Sequence, residues 1–486
     1  LTSNVATVHT SIRVGDFLPA VKYKKSSERR LQQLQELKGQ ARMQRIESLR
    51  RHLPPSMVVY YKKPLLIEKG SGQFLYDTDG KKYLDMFGGI VTVSVGHAHP
   101  KVNEALRKQS EKLWHTTSIY YTSPMFEYAK KLTATMPDHL EVCFFTNSGS
   151  EANDLALELA RLYTGRFDCL TVRNGFHGMT QTVQGATNLG TWKHPMPAGF
   201  GLLKTQCPDP CNGPWGGSRC RDSPIQPKRK CHCTGDRCEA GDKYYQQFEE
   251  VLAYDFPAAT GPAGFLVESI QGVGGTTQFP KNFLPRAFEA VQKRGGVCIS
   301  DEVQTGFGRL GSHFWGFQTH EVRPDIVTMA KGMGNGFPIG AVVTTKEIAK
   351  SLGKALYFNT FGGNPLASAV GKAVLEVIEE EKLQENCVKV GTHFLKQLAS
   401  MDTHLVGDVR GKGLMIGVEL VDETGAPMSA SRTANIFEFI KDQGVLLGKG
   451  GLKGNVLRIK PPMCITKEDA DRTVQVISDA LRTVKK

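Results

Sequence analysis

The sequence predicts an α/β protein in which a mostly parallel sheet carries helices on both faces. Three observations predict it: short apolar runs that end in polar residues, glycine-rich turns directly after those runs, and helical periodicity after one turn. With 486 residues and 40% hydrophobic content, the chain can bury a large core and form two domains. Its 51 glycines suit the many strand–helix turns of such a fold.

The first apolar run, residues 326–330, leads into Lys331 and a glycine-rich turn. We predict a buried strand that delivers this lysine to the carboxyl edge of the sheet, where open α/β sheets bind ligands. An amine held partly out of water loses affinity for its proton and can form a Schiff base with an aldehyde. Lys331 is therefore a candidate catalytic residue, and a solvated lysine beside a turn is the alternative.

Two further apolar runs end in carboxylates. Residues 296–300 lead to Asp301, and residues 264–267 lead to Glu268. Because parallel strands bring their carboxyl ends to one edge, we expect both acids near Lys331. An ionised aspartate can keep the pyridine nitrogen of pyridoxal 5'-phosphate protonated, and Asp301 is the candidate for this role.

Residues 142–153 have the pattern of a strand, a tight turn and a helix. The turn contains Ser148, Gly149 and Ser150, and a helix that begins there offers free N–H groups to a phosphate. The helical spacing that predicts the following helix is carried by Leu155, Leu159 and Leu162. A plain helix cap is the alternative.

Phe176 and His177 follow another apolar segment. An aromatic ring at this place could stack on a pyridine ring. A position in the core or in a turn is the alternative for both residues.

These motifs resemble, in order and spacing, the class III pyridoxal-phosphate-dependent aminotransferases of fold type I. The resemblance extends from about residue 57 to near the C-terminus, and the motifs that carry it are 147–153, 301–309, Lys331 and 359–365. Three longer stretches and a cysteine-bearing insert are similar to the mitochondrial members that act on alanine and glyoxylate: 89–100, 213–224, 311–320 and 207–238.

The resemblance implies a role for each matching residue. Lys331 would hold the cofactor covalently and move a proton between substrate and cofactor, Asp301 would bind the pyridine nitrogen, and Gln304 the phenolic oxygen. The further cofactor-binding residues that it implies are Ser148, Gly149, Ser150, Phe176, His177, Glu268 and Thr360. Because the threonine of this family comes from the neighbouring subunit, the resemblance also implies a homodimer or higher homo-oligomer with shared active sites.

Substrate choice is expected to depend on Arg458. In relatives that handle ornithine or γ-aminobutyrate, a glutamate at the position of Val273 masks this arginine, so here Arg458 should stay available to bind a carboxylate in bidentate fashion. A surface strand residue is the alternative for Arg458.

The resemblance implies a transaminase that converts L-alanine and glyoxylate to pyruvate and glycine, with β-aminoisobutyrate or methylated arginines as further donors. An ω-amino-acid aminotransferase or a phospho-lyase are the alternatives within the fold, and an inactive zinc-binding interaction protein is the alternative from another class.

Four segments are expected along the chain. They are a basic N-terminal tail (1–55), the first part of a small α+β domain (56–100), a large cofactor-binding domain (101–365) with the insert 207–238, and the C-terminal part of the small domain (370–486). The last segment should begin its sheet with a glycine turn into a strand at 409–419 and end with a helix near 467–483.

The formal net charge of +13 is concentrated partly in the tail, where residues 1–53 hold eleven lysines and arginines against four acids. Such a composition resembles part of a mitochondrial transit peptide, so a matrix location is expected, while a solvated tail is the alternative. Residues 28–51 fit an amphipathic charged helix. No nucleic-acid recognition motif accompanies the charge, and no uninterrupted run of 18 apolar residues predicts a membrane span.

Six of the eleven cysteines lie between residues 207 and 238. Their spacing is not a paired Cys-x₂-Cys zinc signature, so structural metal, disulfides and free thiols stay open as interpretations. The candidate metal ligands are Cys207, Cys211, Cys231, Cys233 and Cys238.

Overall fold

The structure is a computed structural model that describes residues 40–57, 59–197, 199–234 and 237–484. Its strands, in chain order, are β1 (Ile67–Ser71), β2 (Phe74–Asp77), β3 (Lys82–Asp85), β4 (Val142–Thr146), β5 (Cys169–Val172), β6 (Leu202–Thr205), β7 (Gly264–Glu268), β8 (Ile270–Gln271), β9 (Thr277–Gln278), β10 (Val297–Asp301), β11 (Ile326–Met329), β12 (Gly340–Thr344), β13 (Val406–Lys412), β14 (Met415–Leu420), β15 (Val445–Leu446), β16 (Gly448–Gly450) and β17 (Val456–Ile459).

The helices, again in chain order, are α1 (Gln40–Arg50), α2 (Gly88–Val91), α3 (Pro100–Ser110), α4 (Ser123–Thr133), α5 (Gly149–Thr164), α6 (Gln181–Ala186), α7 (Glu239–Tyr254), α8 (Phe283–Lys293), α9 (Lys346–Lys350), α10 (Pro365–Glu380), α11 (Leu383–Ala399), α12 (Ala430–Asp442) and α13 (Lys467–Thr483). Short 3₁₀ segments occupy Gly190–Trp192, Gly316–His320, Lys331–Gly334 and Ser351–Lys354. No helix among the described residues is long and apolar enough to cross a membrane.

The chain forms two compact units. The described part of the smaller unit contains α1 and a tight turn in which Asp77 Oδ1 accepts hydrogen bonds from the backbone N–H groups of Asp79 (3.0 Å) and Lys81 (2.9 Å). The helix predicted over residues 28–51 is present from residue 40 to residue 50. The rest of the predicted tail, up to residue 39, lies outside the described residues.

The larger unit is organised by a seven-stranded sheet of order β4-β12-β11-β10-β7-β5-β6. Only β12 within this sheet runs antiparallel to its neighbours, so the predicted mostly parallel sheet is confirmed. All residues of β5, β7, β10, β11 and β12 are buried, as expected for strands covered on both faces.

Helices cover both faces of this sheet. Leu266 of β7 belongs to a buried cluster with Leu155 and Leu159 of α5, whereas its neighbour Phe265 packs edge-on against Phe248 of α7 and Phe288 of α8. Successive side chains of a strand point to opposite faces, so α5 lies on one face and α7 and α8 on the other. The predicted leucine stripe of α5 is wrong at Leu162, which is exposed in the last turn, and Ala156 and Ala160 extend the buried face instead.

The C-terminal region contains a four-stranded antiparallel sheet of order β13-β14-β17-β16. The glycine turn and the strand predicted at 409–419 are present, and a strand also precedes the turn, so that β13 and β14 form a hairpin in which Gly413 adopts a φ of +55°. The predicted final helix is α13, which Thr466 caps by accepting a hydrogen bond from the backbone of Asp469 at 3.2 Å. The domain boundaries stay a prediction.

Candidate active site

Three neighbouring strands of the large sheet end at one pocket. The register pairs Asp301 of β10 with Glu268 of β7 on one side and with Thr328 of β11 on the other, and Lys331 follows two residues after the end of β11. The structure thus brings together the three strand-end residues that the sequence predicted. The pocket is lined by Gly149, Ser150, Asn153, Phe176, His177, Gly178, Glu268, Asp301, Val303, Gln304 and Lys331.

The carboxylate of Asp301 is buried and held from several directions. Its Oδ2 accepts hydrogen bonds from Asn153 Nδ2 at 2.9 Å and from His177 Nδ1 at 2.8 Å, and its Oδ1 accepts one from the backbone N–H of Val303 at 3.0 Å. Asn153 is fixed in turn, because its Oδ1 accepts a hydrogen bond from Thr328 Oγ1 at 2.6 Å. These contacts orient a negative charge at the floor of the pocket.

His177 is fully enclosed beside this carboxylate. Burial lowers the pKa of its ring, but the hydrogen bond to Asp301 and the charges of Asp301 and Glu268 outweigh burial, so the pKa is raised. The sequence placed His177 next to the candidate ring-stacking residue. It contained no sign that the histidine bonds to Asp301.

Glu268 connects the pocket wall to the backbone around it. Its Oε1 accepts a hydrogen bond from the N–H of Phe176 at 3.0 Å and its Oε2 one from the N–H of Gly272 at 2.7 Å. Burial raises the pKa of this carboxyl group. Phe176 is half-buried, and its ring packs edge-on against that of Trp192 with 5.3 Å between centroids. Glu268 therefore holds the backbone of Phe176 in place at the pocket wall.

Lys331 sits in an unusual backbone conformation. Its φ is +49°, a left-handed value that is uncommon for a residue with a side chain and that often marks a functional site. Burial and then the positive charge of Arg458 lower its pKa to about 8. A lysine with this pKa has a much larger neutral fraction than an ordinary lysine at the same pH, as a nucleophile or proton acceptor requires.

The turn before α5 forms an N-terminal helix site open to the pocket. Ser148 caps the helix by accepting a hydrogen bond from the backbone of Glu151 at 3.2 Å, and Gly149 and Ser150 follow in the first turn. A Cβ atom on Gly149 would lie 3.0 Å from Val303, so a side chain there would be crowded. The backbone N–H groups of this turn can therefore approach an anion closely.

Gln304 is oriented by two basic side chains, one from β17 and one from the residue that follows it. Its Oε1 accepts hydrogen bonds from Arg458 Nη2 at 3.3 Å and from Lys460 Nζ at 3.2 Å. Because both side chains donate N–H groups, the amide oxygen faces them and the amide N–H₂ group is left to donate elsewhere. The register of β14 and β17 pairs Arg458 with Gly417, so Arg458 is a buried strand residue rather than a surface one.

Lys460 is a pocket-side residue that the sequence analysis missed. It is fully buried, and its Nζ also donates to the carbonyl of Gly272 at 3.3 Å. Burial and then repulsion by Arg458 lower its pKa well below the usual value. The available signal was the spacing of two residues from Arg458, which places both side chains on one face of an extended segment.

Thr360 lies outside the pocket of its own chain. It is exposed, and its neighbour Asn359 donates a hydrogen bond to Glu151 Oε2 at 3.0 Å, which holds the segment near the start of α5. The contribution of Thr360 to the site of a neighbouring subunit stays a prediction.

The residues of the pocket fit pyridoxal phosphate group by group. The N-terminus of α5 can bind the phosphate, and the ring of Phe176 can stack on the aromatic ring of the cofactor. The buried carboxylate of Asp301 can pair with a protonated ring nitrogen, and the amine of Lys331 can react with the aldehyde. A glycine is required beside the phosphate position, because a Cβ atom on Gly178 would lie 2.5 Å from Ser150 Oγ.

The cysteines of the insert form a grouping that differs from the predicted one. The described sulfur atoms that lie within 4.8 Å of one another belong to Cys220, Cys231 and Cys233. Cys207 is engaged elsewhere, because its thiol donates to Gln271 Oε1 at 3.2 Å. Cysteine spacing alone did not reveal that Cys220 belongs to the cluster.

Comparison with known proteins identifies the family of the chain. Residues 57–481 match the family described as Aminotransferase class-III. The chain is 54% identical over 441 residues to the Homo sapiens protein named alanine--glyoxylate aminotransferase 2, mitochondrial, covering 90% of this chain and 85% of that protein. It is 45% identical over 434 residues to the Arabidopsis thaliana protein named alanine--glyoxylate aminotransferase 2 homolog 2, mitochondrial, covering 87% and 84%.

Solved structures show the same fold. A phospholyase from Arthrobacter in complex with phosphoethanolamine has a TM-score of 0.81 at 33% identity, covering 90% of this chain and 100% of that chain. A PLP-bound amine transaminase from an uncultivated Pseudomonas species has a TM-score of 0.79 at 29% identity, covering 89% and 99%.

Proposed function

Because the chain belongs to the class III aminotransferase family and is a pyridoxal-phosphate-dependent enzyme, we propose that it transfers the amino group of L-alanine to glyoxylate. The products are pyruvate and glycine. Membership of an enzyme family sets aside the inactive zinc-binding interaction protein. β-Aminoisobutyrate and methylated arginines are proposed as further donors.

The observation that carries the substrate choice is the position of Val273 beside Arg458. The carbonyl of Val273 accepts a hydrogen bond from Gly451 at 3.1 Å, and a Cβ atom on Gly450 would lie 2.6 Å from Arg458 Cδ and 2.9 Å from that carbonyl. The side chain at 273 is apolar and brings no negative charge to this place. An α-carboxylate can therefore pair with Arg458, as both alanine and glyoxylate require.

The bound cofactor supplies an electron sink that stabilises negative charge at the α-carbon of the substrate. Lys331 would take the proton from that carbon and would later return one, a role that its lowered pKa favours. Asp301 would hold a proton on the ring nitrogen of the cofactor, and His177 and Asn153 keep its carboxylate in position. Gln304 would offer its amide N–H to the phenolic oxygen of the cofactor.

A phospho-lyase acting on amino-alcohol phosphates is the second candidate, favoured by the likeness to the phosphoethanolamine-bound phospholyase. The two reactions are separable, because only the lyase releases inorganic phosphate. An ω-amino-acid aminotransferase is less well supported, because Val273 brings no carboxylate to mask Arg458.

We propose a homodimer with shared sites, located in mitochondria as the names of the relatives suggest. Exposed aromatic side chains support the dimer: Trp114 is 66% exposed and Tyr121 83%, and the ring of His115 lies 5.3 Å from that of Phe361, the residue after Thr360. Large apolar side chains that are exposed in one chain are candidates for burial at an interface between chains. Co-expressing Lys331→Ala with Thr360→Ala tests sharing, because the mixed dimer would keep one intact site and recover activity that neither variant has alone.

The visible spectrum of the purified holoenzyme tests the reaction. Bleaching of the cofactor band by L-alanine and its return with glyoxylate would support both half-reactions, and Lys331→Ala should lose this response. A band that does not change with alanine would refute alanine as donor, and phosphate release from phosphoethanolamine would favour the second candidate.

A further inference from the structure

The insert 207–238 brings cysteine sulfurs together at a spacing suited to a metal. The Sγ atoms of Cys220, Cys231 and Cys233 all lie within 4.8 Å of one another, and Cys220 Sγ is 3.8 Å from Cys233 Sγ. Four thiolates around a tetrahedral zinc ion, with Zn–S bonds of about 2.3 Å, lie about 3.8 Å apart. The distance between the sulfurs of Cys220 and Cys233 is therefore that of two zinc ligands.

A fourth cysteine, Cys238, lies beside this cluster. It lines the same cavity as Cys233, and its sulfur is not one of the three that lie within 4.8 Å of one another. The backbone keeps Cys238 near the cluster, because the N–H of Arg237 donates to the carbonyl of Thr234 at 3.1 Å and so returns the chain toward Cys233. We propose that Cys220, Cys231, Cys233 and Cys238 bind one zinc ion that stabilises the insert.

Backbone N–H groups point at two of these sulfurs. Cys231 Sγ accepts a hydrogen bond from the N–H of Cys233 at 3.3 Å, and Cys238 Sγ accepts one from the N–H of Gly241 at 3.4 Å. Cys238 is also the N-cap of α7, where the partial positive charge of the helix favours a thiolate. Such contacts are the outer hydrogen bonds that orient metal ligands.

The surroundings complement the charge of the proposed site. Four thiolates and one Zn²⁺ carry a net charge of −2, and the adjoining cavity is lined by Arg219, Arg237 and Lys281 together with Cys233 and Cys238. A disulfide does not fit, because its sulfurs must lie about 2.05 Å apart. A reducing compartment would also keep these thiols available to a metal.

The site lies where the insert is fastened to the rest of the larger unit. The carbonyl of Cys220 accepts a hydrogen bond from the N–H of Lys281 at 2.7 Å, and the next residue, Arg221, donates to Asp408 of β13 at 2.7 and 2.9 Å. Cys238 is the N-cap of α7. One zinc ion would therefore join a loop segment to a helix that covers the large sheet. Loss of the zinc should destabilise the fold rather than remove a reacting group.

Metal analysis of the purified full chain tests the proposal. We expect about one zinc per chain in the wild type. The single variants Cys231→Ser and Cys233→Ser should each lose the zinc and melt at a lower temperature. Cys211→Ser is the matched control, because Cys211 lies in the same insert but is not one of the proposed ligands, and this variant should keep its zinc. Retention of zinc in both cluster variants would overturn the assignment.

A second measurement does not require the variants to fold. Cobalt added to chelator-treated wild-type protein should give the intense thiolate charge-transfer absorption of a tetrahedral sulfur site, which zinc then removes. Wild-type protein that contains no zinc and gives no such absorption refutes the site, as does a Cys220–Cys233 disulfide found by mass spectrometry under reducing purification. Neither result depends on the amino donor, so the transaminase proposal is judged separately.

Discussion

Nδ1 of His177 lies 2.8 Å from Oδ2 of Asp301, and both side chains are buried. The carboxylate expected to hold the pyridine nitrogen is thus itself held by a ring that can carry positive charge. With Asn153 on the same oxygen, Asp301 cannot turn away from the pocket without breaking two buried hydrogen bonds.

Replacing His177 by phenylalanine should weaken both folding and cofactor binding. Loss of a hydrogen bond to a charged group costs about 1.5–3 kcal/mol, equivalent to about a 10- to 100-fold weaker cofactor affinity if the loss falls on binding. Absorbance titration of the apoenzyme with pyridoxal phosphate measures this affinity. His177→Asn, which keeps an N–H donor, should retain more of it, and equal losses in both variants would contradict the role of the hydrogen bond.

The same contact predicts a pH dependence of stability. The folded-state pKa of His177 is raised above 6.5, so the protonated ring stabilises the fold fully below about pH 6.5 and this contribution is lost as the pH rises through the folded-state pKa. The difference in free energy of unfolding between wild type and His177→Phe should therefore shrink with rising pH. Urea unfolding from about pH 6 to about pH 9 checks this, and a constant difference would argue against a charged pair.

Lys331 should react with an aldehyde at lower pH than an ordinary lysine. Its pKa of about 8 means that the neutral, nucleophilic amine predominates above that pH, instead of above 10.5. The rate at which the apoenzyme takes up pyridoxal phosphate, followed by absorbance, should rise through about pH 8 and then level off. In Arg458→Gln one neighbouring positive charge is removed, so the midpoint should move upward; an unchanged midpoint would show that the charge of Arg458 does not contribute to the lowered pKa of Lys331.

The strand-end residues could be predicted because their signal is local. Nearly continuous apolar runs predict buried strands, and the first polar residue after each run must emerge at the edge of the sheet, as Glu268, Asp301 and Lys331 do. The helix start at Gly149 was equally local, because its cap and turn occupy adjacent residues.

The partners of these residues could not be predicted, because they come from distant parts of the chain. Asn153 and His177 reach Asp301 across 148 and 124 residues, and Lys460 reaches Gln304 across 156. Nothing in their immediate sequence specifies such contacts. The members of the cysteine cluster were predicted incorrectly for the same reason, because spacing along the chain alone does not favour Cys220 over Cys207 as a member.

Replacing Arg458 should separate substrate binding from cofactor binding. A bidentate pair between a guanidinium and a carboxylate is worth about 1.5–3 kcal/mol, so Arg458→Gln should raise KM for alanine and for glyoxylate about 10- to 100-fold. Arg458→Lys keeps the positive charge but cannot donate two parallel hydrogen bonds to the carboxylate, so we expect an intermediate KM. Steady-state kinetics with both substrates check this, and an unchanged KM would remove Arg458 from the substrate site.

The insert should contribute to the free energy of unfolding through the ion pair between its Arg221 and Asp408 of β13. Both oxygens of this buried carboxylate accept from Arg221, and Oδ2 also accepts from Arg410 at 3.0 Å, so Asp408→Asn leaves two buried guanidinium groups incompletely paired. Breaking a buried ion pair in this way costs about 3–5 kcal/mol. The control is Glu141→Gln, which removes an exposed ion pair with Lys346 and should cost less than about 1 kcal/mol. Urea unfolding of the two variants should differ accordingly; similar midpoints would mean that the Arg221 contact adds no net stability and that the insert is held by its other contacts.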